Sequence, residues 1–217
     1  LEGYQLYNNL SKQYFNKIDI EKKIPKLIWR GSMSGTVNTN FGGTYHMCNI
    51  NKYLPKENDL FYYICYSRFK FCYYNSLNKF VDAGFTNNHQ FLKNYQFLCK
   101  EKIGIEEQCK YRYHIALNGN DLASSLPWQL LNHNVIFIPY PFQYESIFTY
   151  DLQPWIHFVP VSNDFFDFEK NFDIINNDIE LCKEISENAH KYMCKFLSKK
   201  FYDNFTKQIL DRYIELF

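Results

Sequence analysis

Three short segments of the sequence hold residue types that can bind a phosphorylated ligand, and each follows a strand-like apolar run. The first, Arg30-Gly31-Ser32, follows the run 26–29. A glycine permits close backbone approach, a serine supplies a hydroxyl, and the planar guanidinium of an arginine fits phosphate oxygens. From spacing alone, a capping loop with a surface arginine is nevertheless the favoured interpretation.

The second segment combines a turn with the start of a helix. Asn118-Gly119-Asn120-Asp121 reads as the turn, and Ala123-Ser124-Ser125 opens the helix. The first turn of a helix presents unpaired N–H groups and a partial positive charge, which favour a phosphate, and the hydroxyls of Ser124 and Ser125 can add to them. Asp121 or Ser124 can also cap the helix. Because capping and anion binding are compatible, both interpretations stay open.

The third segment follows the apolar run 135–138 and contains Glu145. A carboxylate here can accept hydrogen bonds from the hydroxyls of a ribose. A glutamate in the first turn of a helix, where it complements the helix dipole, is an equally good interpretation. The sequence leaves both roles of Glu145 open.

The elements that would position these segments alternate between strands and helices. Strand-like runs cover 26–29, 60–66, 111–117, 135–138 and 156–161. Helical patterns cover part of 1–23, a stretch near 88–100, 122–131, 145–151, 178–197 and 202–217. A loop is predicted over 32–44. Short strands that alternate with helices predict an α/β fold with a mostly parallel sheet. Ligands of such sheets bind beyond the carboxyl ends of the strands, which is where the three segments lie.

Composition excludes several classes of function. The chain carries 24 Lys and Arg against 23 Asp and Glu, and this balance argues against a nucleic-acid binder. No apolar run reaches the roughly 18 residues of a membrane-spanning helix. The seven cysteines include no C-x-x-C pair and the six histidines show no metal-ligand spacing, so we expect reduced cysteines and no metal. His114 and His157 lie in predicted strands and are expected in the core or behind a site, and no spacing selects a Cys–His nucleophile pair.

The segment 110–128, KYRYHIALNGNDLASSLPW, resembles the core motif of glycosyltransferase family 90. That family contains capsule-associated and lipopolysaccharide-modifying sugar transferases and eukaryotic protein O-glucosyltransferases. In its bacterial-type branch a lysine-tyrosine strand leads into a Gly-Asn turn, small residues and a tryptophan, which here are Lys110, Tyr111, Gly119, Asn120, Ala123, Ser124 and Trp128. Three further segments resemble the family in the same order: Trp29-Arg30-Gly31-Ser32, the strand and acidic segment 132–145, and the run 152–161.

This resemblance implies the donor-binding half of a two-domain GT-B fold. Residues 24–217 would form a Rossmann-like parallel sheet flanked by helices, and residues 1–23 a remnant or linker of a missing N-terminal domain. The implied reaction is an inverting transfer, without a metal, from a UDP-sugar to a hydroxyl of a protein or of a glycan such as lipopolysaccharide or capsule. Nucleic acid and a transmembrane segment are not expected, and a cytoplasmic or membrane-peripheral location is favoured.

The resemblance also implies roles for individual residues. Arg30 and Ser32, with Gly31 between them, would lie by the donor diphosphate. Gly119 and Asp121 would shape the donor loop, and Ser124 and Ser125 would meet phosphate at the helix start. Glu145 would be the ribose ligand.

The sequence departs from the family pattern at two cationic positions. Many members carry a cationic residue shortly after the small residues of the core motif, where this chain has Leu126 and Pro127. Many also carry an arginine some way after the Arg-Gly motif, and residues 40–47 hold none. The family's catalytic base lies upstream of that motif and matches neither Asp19 nor Glu21, so the catalytic residues stay unassigned. A degenerate, non-catalytic module that binds a glycan or a partner protein is therefore the second hypothesis.

Overall fold

The computed structural model describes residues 18–33, 36–38, 44–46, 66–86, 90–119 and 121–216. Within these ranges the strands are β1 (Ile24–Gly31), β2 (Thr36–Asn38), β3 (Thr44–His46), β4 (Val81–Phe85), β5 (Tyr111–Ile115), β6 (Val135–Pro139) and β7 (Val159–Val161). The helices are α1 (Ser67–Tyr74), α2 (Ile105–Gln108), α3 (Leu126–Leu131), α4 (Phe168–Asn176), α5 (Ile179–Cys194) and α6 (Lys199–Leu216). Short 3-10 segments cover Ile20–Lys22, Gln90–Leu98 and Lys195–Leu197.

Five strands form one parallel sheet in the order β4-β1-β5-β6-β7, and β2 pairs with β3 in a separate antiparallel ribbon. In the register of the central strand, Ile28 lies between Asp82 of β4 and His114 of β5. Counted along the chain, the sheet has the order 2-1-3-4-5, in which the winding reverses direction between β1 and β5. The predicted α/β, Rossmann-like sheet flanked by helices is confirmed.

The sheet is covered on both faces. Alternate residues of β6 belong to different hydrophobic clusters, with Val135 and Phe137 in one and Ile136 and Ile138 in the other, as expected when successive side chains point to opposite faces. This two-sided burial explains why β6 reads as an unbroken apolar run rather than an alternating one.

Helix α5 contributes to both clusters. Cys182 and Ile185 from its first half belong to the cluster of Phe137, whereas Ala189 and Met193 from its second half belong to the cluster of Ile138. The helix starts with Asp178, whose carboxylate accepts a hydrogen bond from the backbone N–H of Leu181 at 2.9 Å and so caps its first turn. One continuous helix therefore contributes to the hydrophobic clusters of both faces of the sheet.

Several boundaries differ from the sequence-based predictions. β4 was not expected, because Asp82 and Gly84 interrupt its apolar pattern. α4 was not expected either, and the region 32–44 contains strand β2 rather than loop alone. Residues 145–151 form turns instead of the predicted helix. The predicted features at 1–17 and at 60–65 lie outside the described residues.

Candidate functional site

The candidate site lies where the winding of the sheet reverses. The chain leaves β1 and β5 at the same edge of the sheet, and the two strands are direct neighbours. In doubly wound α/β sheets the loops at such a switch point turn to opposite faces, and the crevice between them is the usual place for a ligand. This position brings the segment 30–33 next to the segment 116–119.

Arg68, near the start of α1, joins these two loops. Its Nη1 donates to the carbonyl oxygen of Ser32 at 3.0 Å, and its Nε donates to the carbonyl oxygen of Asn118 at 3.1 Å. Its Nη2 donates to the carbonyl oxygen of Leu117 at 3.2 Å, and the guanidinium lies 5.7 Å from the ring centroid of Trp29. Charge-assisted hydrogen bonds of this kind are among the stronger ones in proteins, so Arg68 fixes the distance between the loops.

Burial lowers the pKa of Arg68 from its usual value, and the nearby Cys72 and Asp121 act in the opposite direction. The arginine remains charged, since its usual pKa lies far above neutral pH. The predicted donor-loop residue Asp121 therefore lies near the guanidinium of Arg68.

Arg30 points toward β4 instead. Its Nη2 pairs with the Asp82 carboxylate at 2.9 Å, its Nη1 donates to the carbonyl oxygen of Asp82 at 2.7 Å, and its Nε donates to that of Glu101 at 3.1 Å. Burial alone would raise the pKa of Asp82, but the hydrogen bond and charge of Arg30 hold it below its usual value. The side chain of Arg30 is only 8% exposed. The guanidinium of Arg30 therefore connects β1 to β4. Only the backbone of Arg30 continues into the loop that contains Ser32.

The loop after β5 is tightly turned. Gly119 is buried, and its N–H donates to the carbonyl oxygen of Asp121 at 3.0 Å. Ser124 is exposed and Ser125 is half-buried immediately before α3. The helix α3 begins at Leu126 and not at the predicted 122, so Ser124 and Ser125 precede it. Pro127 lies in its first turn, and the side chain of Ser125, the N-cap residue, makes no capping hydrogen bond. The hydroxyl of Ser125 therefore lies beside the turn without capping the helix.

Glu145 lies on the loop after β6 and is exposed. The loop is held by a turn in which the N–H of Ser146 donates to Thr149 Oγ1 at 2.8 Å and the N–H of Tyr150 donates to the carbonyl oxygen of Ser146 at 3.1 Å. Because no helix forms here, the alternative in which Glu145 complements a helix dipole does not apply. Glu145 instead lines a groove of about 500 Å³.

A second polar cluster lies at the opposite, amino end of the strands. Lys23 is 3% exposed, and its Nζ donates to the carbonyl oxygen of Asn132 at 2.8 Å. Burial lowers the pKa of Lys23 to about 8. His114 is fully buried, with Nε2 3.1 Å from the carbonyl oxygen of Gln108, and burial followed by the charge of Lys23 lowers its pKa to about 3. His114 is a core residue, as predicted.

Arg68 was not predicted from the sequence. The family pattern placed a second arginine within 40–47, whereas the arginine that contacts both loops comes 36 residues after Ser32. The available signal was its place at the start of a helix beside aromatic residues, in Tyr66-Ser67-Arg68-Phe69.

A parallel sheet with helices on both faces, and with two loops joined by Arg68 at its switch point, defines this molecule as a Rossmann-like α/β domain. Over residues 68–217 the sequence matches the profile of glycosyl transferase family 90. The chain belongs to glycosyltransferase family 90.

Three relatives illustrate the similarity. The chain is 31% identical over 98 residues to the O-glucosyltransferase LpsA of Dichelobacter nodosus. The aligned segment covers 45% of this chain and 30% of that protein. It is 34% identical over 101 residues to the uncharacterized protein 179R of Invertebrate iridescent virus 6, covering 44% of this chain and 8% of that protein. It is 22% identical over 141 residues to the O-glucosyltransferase rumi of Drosophila melanogaster, covering 63% of this chain and 34% of that protein. The matched part is thus about a third or less of the length of these relatives.

In the part of the chain that the structure describes, no helix combines the length and the apolar character needed to cross a bilayer.

Proposed function

We propose that this chain is the donor-binding part of an inverting GT-B glycosyltransferase that moves a sugar from a UDP-sugar to a hydroxyl of a glycan or a protein. The observation that carries the proposal is the contact of Arg68 with the loops after both β1 and β5, in a chain that belongs to family 90. The names of two relatives, both O-glucosyltransferases, favour glucose as the transferred sugar.

In an inverting transfer the acceptor oxygen bonds to the anomeric carbon while the bond from that carbon to the diphosphate breaks, so UDP leaves as an anion. Groups that neutralise the leaving diphosphate lower the barrier, because its charge grows in the transition state. We assign this role to the hydroxyls of Ser124 and Ser125, with Ser32 and Gly31 on the facing loop, while Gly119 shapes the turn between them. Arg68 holds the two loops at the separation that the diphosphate requires.

The remaining assignments follow from position. Glu145 accepts hydrogen bonds from the ribose hydroxyls, because it is exposed on the loop after β6, two strands from β1 in the sheet. Asp121 shapes the turn and contributes a negative charge near Arg68. The acceptor must be deprotonated by a base, for which a carboxylate is suited. No described residue is assigned to that role, and no metal is expected to take part.

Calorimetric titration with UDP and UDP-glucose, with and without EDTA, tests the proposal. We expect binding in both conditions, together with slower backbone hydrogen exchange over 116–125. The double variant S124A/S125A should weaken UDP binding at least tenfold, since one hydrogen bond to a charged group contributes about 1.5–3 kcal/mol net and 1.4 kcal/mol is about tenfold in affinity. S76A, which changes an exposed serine at the end of α1, is the matched control and should bind as the wild type does. An absence of heat together with unchanged exchange would contradict the proposal.

A degenerate, non-catalytic module is the second candidate, and two observations favour it. The guanidinium of Arg30 is engaged by Asp82, and the positions after the small residues of the core motif, Leu126 and Pro127, are buried and uncharged. Because Pro127 is buried, the test cation belongs at the exposed Ser124. S124K should strengthen UDP binding if the crevice holds a diphosphate, and should have no effect if it does not.

A further inference from the structure

Helix α6 extends beyond the packed part of the domain. Near its start, the ring of Phe201 lies 4.8 Å from that of Phe196, centroid to centroid, and packs against the hydrophobic cluster of Ile138. No residue of α6 is buried, and every residue from Thr206 to Leu216 is exposed. The last three turns of the helix therefore lie at the surface.

An exposed helical segment of this length is marginal in water. Isolated helices shorter than about 12–15 residues rarely persist, and most helices in proteins are stabilised by the packing of their apolar face. The charges of α6 also oppose its dipole, because its first turn holds Lys199 and Lys200 without an acid and its last turn holds Glu215 without a base. The helix therefore needs a further surface to pack on.

The exposed turns carry large apolar side chains. Ile209 is 53% exposed and Ile214 is 72% exposed, and Leu210, Tyr213 and Leu216 fall between these two values. Single exposed apolar residues are ordinary at a protein surface. Here five of them lie within eight residues of one helix, at spacings that bring their side chains together. A continuous apolar patch of this kind marks an interaction surface.

The apolar residues of α6 follow a spacing that is the same in both directions. One stripe consists of Tyr202, Phe205, Ile209, Tyr213 and Leu216, at spacings of 3, 4, 4 and 3 residues. At about 100° per residue, all five lie within about 40° of Ile209 around the helix. An identical helix that runs antiparallel, with Ile209 facing Ile209, therefore matches the stripe along its whole length. Self-complementary contacts of this kind form closed two-fold dimers.

The charges of α6 favour the same arrangement. In the antiparallel register, the end with Lys199 and Lys200 lies beside the end with Glu215 of the second copy, and the two helix dipoles oppose each other. The helix holds four basic residues against three acidic ones. A helix that lies on an anionic membrane is instead rich in Lys and Arg on its polar face. The mixed charges of α6 therefore favour a second copy of the chain over a lipid surface.

We infer that α6 is the interface of a symmetric homodimer, in which two copies of the helix pack antiparallel about a two-fold axis at Ile209. Tyr202 of one copy then lies level with Leu216 of the other, and Phe205 with Tyr213. A helix of 18 residues is about 27 Å long, so the interface is small and we expect a Kd of roughly 1–100 µM. The inference goes beyond the proposed function and does not depend on it, because it uses no residue of the crevice.

Sedimentation equilibrium of the purified chain between roughly 1 and 300 µM tests the inference. The wild type should show a monomer–dimer equilibrium. I209D places two carboxylates opposite each other at the two-fold axis and removes two apolar contacts, so it should weaken the dimer about a hundredfold or more. K207D introduces the same residue about 200° away around the helix and should leave the Kd within about threefold. Ile209 and Lys207 are both exposed, so both variants should keep the fold of the domain, which circular dichroism verifies.

Disulfide formation tests the register of the two helices. In an equimolar mixture of tagged F205C and untagged Y213C, mild oxidation with diamide should give mainly the tagged–untagged dimer, because these two positions face each other in the antiparallel pair. Oxidation of F205C alone should give little dimer. The wild-type chain shows the background from its own cysteines.

Each result decides for or against the inference. Dimers that are lost in I209D and kept in K207D, with the mixed disulfide, support it. A monomer at every concentration refutes it, and binding to phosphatidylcholine–phosphatidylserine vesicles that I209D abolishes would then identify a lipid surface as the occupant. A dimer that I209D and K207D affect alike lies elsewhere on the molecule and also refutes it, and efficient disulfides between two copies of F205C refute the antiparallel register.

Discussion

Replacing Arg68 tests whether one side chain holds the crevice together. In R68Q the neutral amide is shorter than the guanidinium and can reach at most one of the carbonyl oxygens of Ser32, Leu117 and Asn118. In R68K the charge is kept, but the planar fork that spans both loops is lost. We therefore expect R68Q to separate the loops and R68K to have an intermediate effect.

The magnitude follows from the acceptors that lose a donor. Three partly buried carbonyl oxygens are involved, and a hydrogen bond to a charged group contributes about 1.5–3 kcal/mol net. Water can hydrate part of the opened crevice, so we expect R68Q to lower the free energy of unfolding by about 2–4 kcal/mol rather than by the full sum. R68K should lower it by about half as much, because one ammonium can still satisfy one or two carbonyls.

Urea denaturation followed by circular dichroism measures the stability, and hydrogen exchange measures the opening of residues 116–119. UDP affinity of folded R68Q should fall more than tenfold if the loop separation matters for the diphosphate. R212Q is the matched control, because Arg212 is exposed on α6 and pairs only at the surface with Glu215, an interaction that contributes little. If R68Q unfolds at the wild-type urea concentration and its loops exchange no faster, Arg68 does not join them in solution.

Three further predictions concern groups away from the crevice. The pKa of His114 is about 3 in the folded protein and about 6.5 in the unfolded chain, so the unfolded state takes up the proton first and stability is lost as the pH falls below 6.5. Urea titrations should show that, relative to the non-titrating variant H114Q, the wild type loses about 2–3 kcal/mol of unfolding free energy between pH 7 and pH 4.5. The pKa of Lys23 is about 8 in the folded protein and about 10.5 in the unfolded chain, so its burial destabilises the fold below pH 8 and this penalty disappears as the pH rises. Between pH 7.5 and pH 10 the wild type should therefore gain about 2–3 kcal/mol of unfolding free energy relative to K23M. If the difference in stability between the two proteins does not change with pH, Lys23 is hydrated. A Cβ at Gly84 would lie 2.8 Å from the carbonyl oxygen of Leu98, so G84A should destabilise the fold by about 1–3 kcal/mol. A Cβ at Gly104 meets nothing within 4 Å, so G104A should not destabilise it. Thermal unfolding compares the two variants, and equal midpoints would contradict the close approach at Gly84.

The strands next to the crevice could be predicted from sequence because parallel strands that are buried on both faces are unbroken apolar runs. The runs 26–29, 111–117 and 135–138 contain β1, β5 and β6, and the rule about carboxyl ends indicated the loops after β1 and β5, which Arg68 joins. β4 escaped this reasoning because it lies at the edge of the sheet and contains Asp82 and Gly84.

The roles of the two arginines show why the site itself was harder to predict. The position of Arg30 beside a loop was predicted, but its partner Asp82 lies on the strand that the sequence did not reveal. Arg68 contacts carbonyl oxygens that are 36, 49 and 50 residues away, and backbone acceptors have no sequence signature. Which arginine reaches the crevice is therefore decided by tertiary packing and not by motif spacing.

The continuity of α5 has a consequence for how the domain comes apart. Because a single helix supplies Ile185 to one hydrophobic cluster and Met193 to the other, neither cluster can open fully while that helix stays in place. Its salt bridge from Lys183 to Glu21 also ties it to the chain just before β1. The two sides of the sheet are thus expected to lose structure in one cooperative transition, and a nucleotide bound near β1 and β5 would stabilise helices that it never touches.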